Sequence, residues 1–120
     1  MVNVLLADDN DRVRKVIAAI LRADPRVRFA GEASSFAGLL RVGRTSKIDV
    51  VVMDLSMPER EGLRSDYVRG AIREITNRLI AASIWVDPVS VAKAHSYGAE
   101  TLLDKASLGT QLLQAILNLG

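Results

Sequence analysis

A chain of 120 residues with 49% hydrophobic and 25% charged side chains has room for one core and reads as a single domain, 1–120, with no effector domain alongside it. The absence of cysteine excludes thiol catalysis, a cysteine zinc site and a disulfide scaffold, and no apolar run approaches the roughly 18 residues of a spanning helix. Sixteen basic against fourteen acidic side chains leave a formal charge of +2, too weak a field to point to nucleic acid, and 4% aromatic residues offer no base-stacking platform. No basic segment precedes the first apolar stretch, so the expectation is a cytoplasmic protein without membrane association.

Short apolar runs alternate with longer amphipathic stretches, which is the sequence form of a repeated strand-helix unit. Val2 to Ala7 is the first predicted strand. Val13, Val16, Ile17, Ile20 and Leu21 then recur at helical spacing, in a helix starting near Asp11. A second strand is predicted over Val27 to Ala33 and a helix over Phe36 to Val42, followed by a third strand over Asp49 to Met53. Leu63, Tyr67, Val68, Ala71, Ile72 and Ile75 form another helical stripe, ahead of a fourth strand over Arg78 to Ser83. Asp87-Pro88 is a start signal for a helix over Val89 to Tyr97, because Asp accepts from free first-turn amides and Pro fits the first helical position. Thr101 to Asp104 is the fifth strand, and Leu108, Leu112, Leu113, Ile116 and Leu117 mark a terminal helix. Several strands are apolar at consecutive positions, as parallel strands covered on both faces must be. The count is five strands and five helices.

Ligands of parallel α/β sheets gather beyond the carboxyl ends of the strands, so the residues that close each run matter most. The first run ends in Asp8-Asp9, the third in Asp54 and the fourth in Ser83, and Lys105 follows the fifth. Three carboxylates, a hydroxyl and an ammonium thus share one rim. Crowded carboxylates resist ionisation unless a cation sits among them, and hard oxygen donors suit Mg²⁺. Lys105 would supply positive charge for a phosphoryl group. Taken singly, each residue has an ordinary reading: Asp8 and Asp9 as caps of the first helix, Asp54 as the start of a turn, Ser83 as a strand-end hydroxyl, Lys105 as a surface lysine. Arg60, Arg64, Arg69 and Arg73 read as a solvated helix face, His95 as a surface or boundary residue, and Trp85 and Tyr97 as core or rim residues.

The ordered set resembles the receiver domains of two-component response regulators along the whole chain. Leu5-Leu6-Ala7-Asp8-Asp9, Val50-Val51-Val52-Met53-Asp54-Leu55-Ser56-Met57-Pro58 with Gly62, Ala81-Ala82-Ser83, and Gly98-Ala99 leading to Leu102-Leu103-Asp104-Lys105 carry the resemblance. The stretch from Leu103 to Ser107 is also similar to regulators with a C-terminal helix-turn-helix output domain. The resemblance implies an α/β, doubly wound five-stranded parallel sheet of order 2-1-3-4-5, the flavodoxin-like receiver fold. It implies that Asp54 is the phosphoacceptor for a phosphoryl group from a sensor histidine kinase or phosphotransfer protein. Asp9 matches the direct Mg²⁺ ligand, Asp8 its neighbour acting partly through water, and the Ser56 backbone carbonyl the third protein ligand beside Asp54. Lys105 matches the residue that pairs with phosphoryl oxygens, Ser83 the switch hydroxyl, and the backbone amides of Leu55 and Ile84 the rest of the cradle. The role is that of a signalling switch and not of an enzyme with an outside substrate. A homodimer is compatible with it, and DNA would be reached only through an output domain absent from this chain.

Three positions depart from the commoner receiver pattern. Leu102 stands where many members carry Tyr or Phe, which puts a ring-based readout in doubt, Ile84 stands where a small residue is frequent, and Trp85 is placed to cover the site further. A haloacid-dehalogenase-type phosphatase also uses a strand-end Asp, but expects a second Asp where this chain has Ser56. No Gly-x-Gly-x-x-Gly follows the first strand, and Asp9-Asn10-Asp11 lacks the Gly and Glu of a calcium loop. The remaining alternative is a receiver-like interaction module used without phosphorylation, whose mark would be a missing pocket residue.

Overall fold

The computed structural model describes residues 1–119; Gly120, the last residue of the expected domain, lies outside them. The apolar runs form β1 (Val2–Ala7), β2 (Val27–Ala33), β3 (Val50–Asp54), β4 (Leu79–Ser83) and β5 (Thr101–Asp104). All pairings are parallel, in the expected order β2-β1-β3-β4-β5. Around the sheet lie α1 (Asp11–Arg22), α2 (Phe36–Thr45), α3 (Met57–Arg60), α4 (Ser65–Arg73), α5 (Pro88–Ser96) and α6 (Leu108–Leu119), with a 3₁₀ turn over Lys105–Ser107. Among the described residues no helix is long and apolar enough to cross a membrane.

Strand alternation divides the core in two. Leu5, Ala7, Val51, Met53, Leu79 and Ala81 face Phe36, Leu39, Val68, Ile72, Ala94 and Tyr97 on one side of the sheet. Val4, Leu6, Val50, Val52, Ile80 and Ala82 face Ile17, Leu21, Leu108, Leu112 and Ile116 on the other. Every residue of β3 and β4 is buried because both faces are covered, which explains runs that are apolar without a period of two.

Local chemistry sets the helix ends. Asn10 caps α1 by accepting from the Arg12 and Val13 amides, and Asp87 caps α5 by accepting from the Ser90 amide at 2.8 Å, with Pro88 opening the helix. Asp87→Ala is expected to cost about 1 kcal/mol in urea unfolding, and a loss within error of zero would show the cap to be redundant. At the other end of α5, Gly98 takes φ +87 and the Ala99 amide returns to the Ala94 carbonyl, a left-handed termination that glycine adopts without strain.

The structure differs from the sequence reading at several boundaries. There are six helices among the described residues and not five, because Met57–Arg60 winds one turn whose Met57 and Pro58 are buried. A single turn has no periodicity to read. The stripe from Leu63 to Ile75 is helical only over Ser65–Arg73, although both end residues still pack against the core. Asp49 and Arg78 fall just outside β3 and β4, and α2 runs three residues past Val42, through buried Gly43, on which the Ile75 side chain rests.

Candidate functional site

Parallel strands end on the same edge, so the fold brings the strand-closing residues together at the carboxyl rim. Asp8 directly follows β1 and is 1% exposed; Asp54 closes β3 and is 3% exposed. Asp9 lies beside them in a more exposed position. One carboxylate oxygen from each of the three lies within 4.8 Å of the others. Lys105, carried just past β5, places Nζ 2.7 Å from Asp8 Oδ2 and 3.1 Å from Asp54 Oδ1. Ser83 closes β4, and its hydroxyl accepts from the Trp85 amide at 3.0 Å.

Asp8 is held from several directions. Its Oδ1 accepts from the Asn10 amide at 2.8 Å, and its backbone carbonyl accepts from Arg14 Nη1 at 2.6 Å. Neither Asp8 nor Asp9 caps α1, since Asn10 does so, and that leaves both carboxylates directed to the rim. Asp54 is contacted by the Ser56 hydroxyl, 3.3 Å from each of its oxygens.

A further cation enters the cluster. Arg60 Nη2 lies 2.5 Å from Asp54 Oδ2 and 2.7 Å from Asp9 Oδ1, while Nη1 donates to Ser56 Oγ at 2.7 Å. Partial burial opposes the guanidinium charge, but the charges and hydrogen bonds of Asp54 and Asp9 outweigh it and the Arg60 pKa is raised. Asp9, Asp54, Ser56, Arg60, Ser83, Trp85 and Lys105 line a single cleft.

The comparison with known families turns on this same ordered set. The family model of the response regulator receiver domain matches residues 4–117. The chain is a receiver domain of the response regulator family. It is 33% identical over 117 residues to the response regulator UvrY of Escherichia coli (strain K12), covering 97% of this chain and 53% of that protein. It is 32% identical over 117 residues to the transcriptional regulatory protein LiaR of Bacillus subtilis (strain 168), covering 97% and 54% respectively. The chain thus spans about half the length of these curated relatives. Among solved structures, the signal receiver domain of NarL from Mycobacterium tuberculosis superposes with a TM-score of 0.83 at 29% identity, covering 98% of this chain and 94% of that one.

Within this receiver the structure gathers Asp8, Asp9, Asp54, Ser56, Ser83 and Lys105 as the sequence anticipated. Ile84 and Trp85 are both largely exposed at the cleft mouth, so of the two readings of Trp85, core or rim, the structure has the rim. Tyr97 is buried, and burial raises the pKa of its phenol. The Leu55 amide donates to the Ala82 carbonyl at 2.9 Å, so it is engaged by the sheet. Leu102 is partly buried against the core beside Ala81 of β4. Arg60 is the functional-site residue that sequence reasoning placed wrongly. It lies on α3, apart from Arg69 and Arg73 of α4 and from Arg64, which precedes that helix, and the one available signal was its i,i+4 spacing from Ser56.

Proposed function

We propose that this receiver is a phosphorylation-activated switch of a two-component phosphorelay, in which Asp54 takes a phosphoryl group from a phosphohistidine of a sensor kinase or phosphotransfer protein. The observation that carries this is a buried Asp54 set within 4.8 Å of Asp8 and Asp9 and paired with Lys105. In the transfer, an Asp54 oxygen forms a bond to phosphorus as the bond from phosphorus to the histidine nitrogen breaks, and its electron pair stays with the imidazole.

The donor set fits Mg²⁺, since the three carboxylates are hard oxygen ligands, and the Ser56 carbonyl, which accepts from the Arg60 amide at 3.0 Å, keeps a second lone pair to offer. Bound Mg²⁺ would neutralise oxygens of the acceptor and of the incoming group, allowing two anions to meet. Lys105, already 3.1 Å from Asp54 Oδ1, is positioned to pair with a phosphoryl oxygen. The Ser83 hydroxyl accepts one hydrogen bond and keeps its own proton to donate, which suits a switch contact. The Ile84 amide joins this cradle, while the Leu55 amide, which donates to the Ala82 carbonyl at 2.9 Å, is spent on the sheet and is not available to it. With Leu102 in place of a ring, a ring-based readout is not expected. The reading places the protein in the cytoplasm, as a phosphoacceptor and not an enzyme acting on others, with transcription as its output when a DNA-binding domain is attached.

Incubation with Mg²⁺ and acetyl phosphate tests this: one acid-stable, base-labile phosphoryl group is expected, mapped by peptide mass to Asp54. Its appearance on Ser56, Ser83 or His95 would overturn the assignment.

The lifetime of that group follows from the cleft walls. Hydrolysis needs water in line behind phosphorus, and Trp85, 68% exposed, lines the same cleft as Ser56 and brings an apolar plate to its mouth. Exchanging Ser56→Asn and Trp85→Glu together supplies water-orienting groups, and phosphoryl loss is expected to quicken about tenfold, about 1.4 kcal/mol of barrier. A double variant no faster than the parent removes the shielding role.

A further inference from the structure

Lys105 and Arg60 grip opposite oxygens of Asp54 and differ in what they leave open. Lys105 holds Oδ1 together with Asp8, is 14% exposed in its side chain, and leaves Asp9 untouched. Arg60 holds Oδ2 together with Asp9, through a single nitrogen that bridges the two carboxylates. These are two of the three carboxylates that a divalent cation would need. A guanidinium nitrogen hydrogen-bonded to those oxygens and a metal ion coordinated by them compete for the same lone pairs.

We propose that Arg60 is a tethered counter-ion of the acidic cluster, seated between Asp9 and Asp54 in the metal-free protein, and that it must withdraw before Mg²⁺ enters. The inference rests on the phosphoacceptor reading of the cluster and adds a residue that sets its metal threshold.

Charge balance supports the exchange. Three carboxylates face two cationic side chains, leaving one unit of negative charge; a divalent ion added with both in place would reverse that sign, whereas with Arg60 withdrawn the pocket is neutral. Arg60 cannot give way by losing its proton, because a guanidinium stays charged. It leaves only by swinging out, and its side chain is 51% exposed, so a solvent route is open.

The backbone beneath it is anchored independently. Glu59 pairs with Lys93 of α5, and Glu61 accepts from the Phe36 amide at 2.9 Å. The turn closes at Gly62, which takes φ +71 while the Leu63 amide returns to the Pro58 carbonyl at 3.0 Å. Arg60 can therefore leave the pocket as a side chain while α3 stays in place.

Calorimetric titration with MgCl₂ alone, on the parent and on Arg60→Met and Arg60→Gln proteins, tests this without any phosphodonor. Both variants are expected to bind Mg²⁺ about tenfold more tightly than the parent, equivalent to about 1.4 kcal/mol. They should also gain more in melting temperature from saturating Mg²⁺, which a merely structural loss would not produce. Equal or weaker binding by both variants overturns the counter-ion role alone. No saturable heat from any of the three proteins removes the Mg²⁺ reading and this inference with it.

Discussion

An Asp54→Asn protein is expected to take up no phosphoryl group from acetyl phosphate under conditions that load the parent once. The carboxamide has no anionic oxygen to attack phosphorus, and no neighbouring residue restores one: Asp8 is tied to Lys105 and the Asn10 amide, and Asp9 to Arg60. A rate loss beyond about a thousandfold, more than about 4 kcal/mol of barrier, is the expected scale. The variant should fold, since the exchange lowers the number of like charges crowded within 4.8 Å and keeps the shape of the side chain. Intact mass and a melting curve on the same sample separate the two effects. A folded Asp54→Asn protein that still incorporates phosphate would move the acceptor elsewhere.

The largest structural loss is expected at Phe36, the first residue of α2. Its ring is 1% exposed and meets Tyr67 edge-on, with centroids 6.1 Å apart and an interplanar angle of 61°. Its amide donates to the Glu61 carboxylate, so the same residue joins α2 to the turn that carries Arg60. Phe36→Ala removes a buried ring between α2 and α4 and leaves a cavity, at a cost of about 3–5 kcal/mol. Domains of this kind are stable by only about 5–15 kcal/mol, so the urea midpoint should fall by a large fraction of its value. Phe36→Leu should recover a good part of the loss. A Phe36→Ala midpoint within error of the parent would mean that the site collapses without a void.

Phe36 also marks where sequence reasoning reaches its limit. That it opens a helix is visible locally, since Ser35 precedes it and accepts from the Gly38 amide. That a carboxylate 25 residues away completes the cap is not. The strands and the rim of Asp8, Asp9, Asp54, Ser83 and Lys105 were legible because buried parallel strands leave consecutive apolar runs, and whatever follows each run must fall on one edge, whereas the strand order came with the family resemblance. Motif order then added the roles through family resemblance, and the family match over residues 4–117 bears out the receiver fold.

By itself the sequence determined the alternation of strands and helices, the chemistry of each strand end, and the cap at Asp87. These depend on residues a few positions apart, which a single local turn of the chain brings within reach of one another. Only the tertiary structure decided that Arg60 leaves the row of arginines and enters the acidic cluster, that Asn10 rather than Asp8 or Asp9 caps α1, and that Trp85 stands exposed at the cleft. The reason is geometric. A side chain's charge and length are written in the sequence, but its partner is whichever group the turns of the chain bring within about 3 Å, and one short turn at Met57–Arg60 was enough to exchange solvent for Asp9 and Asp54.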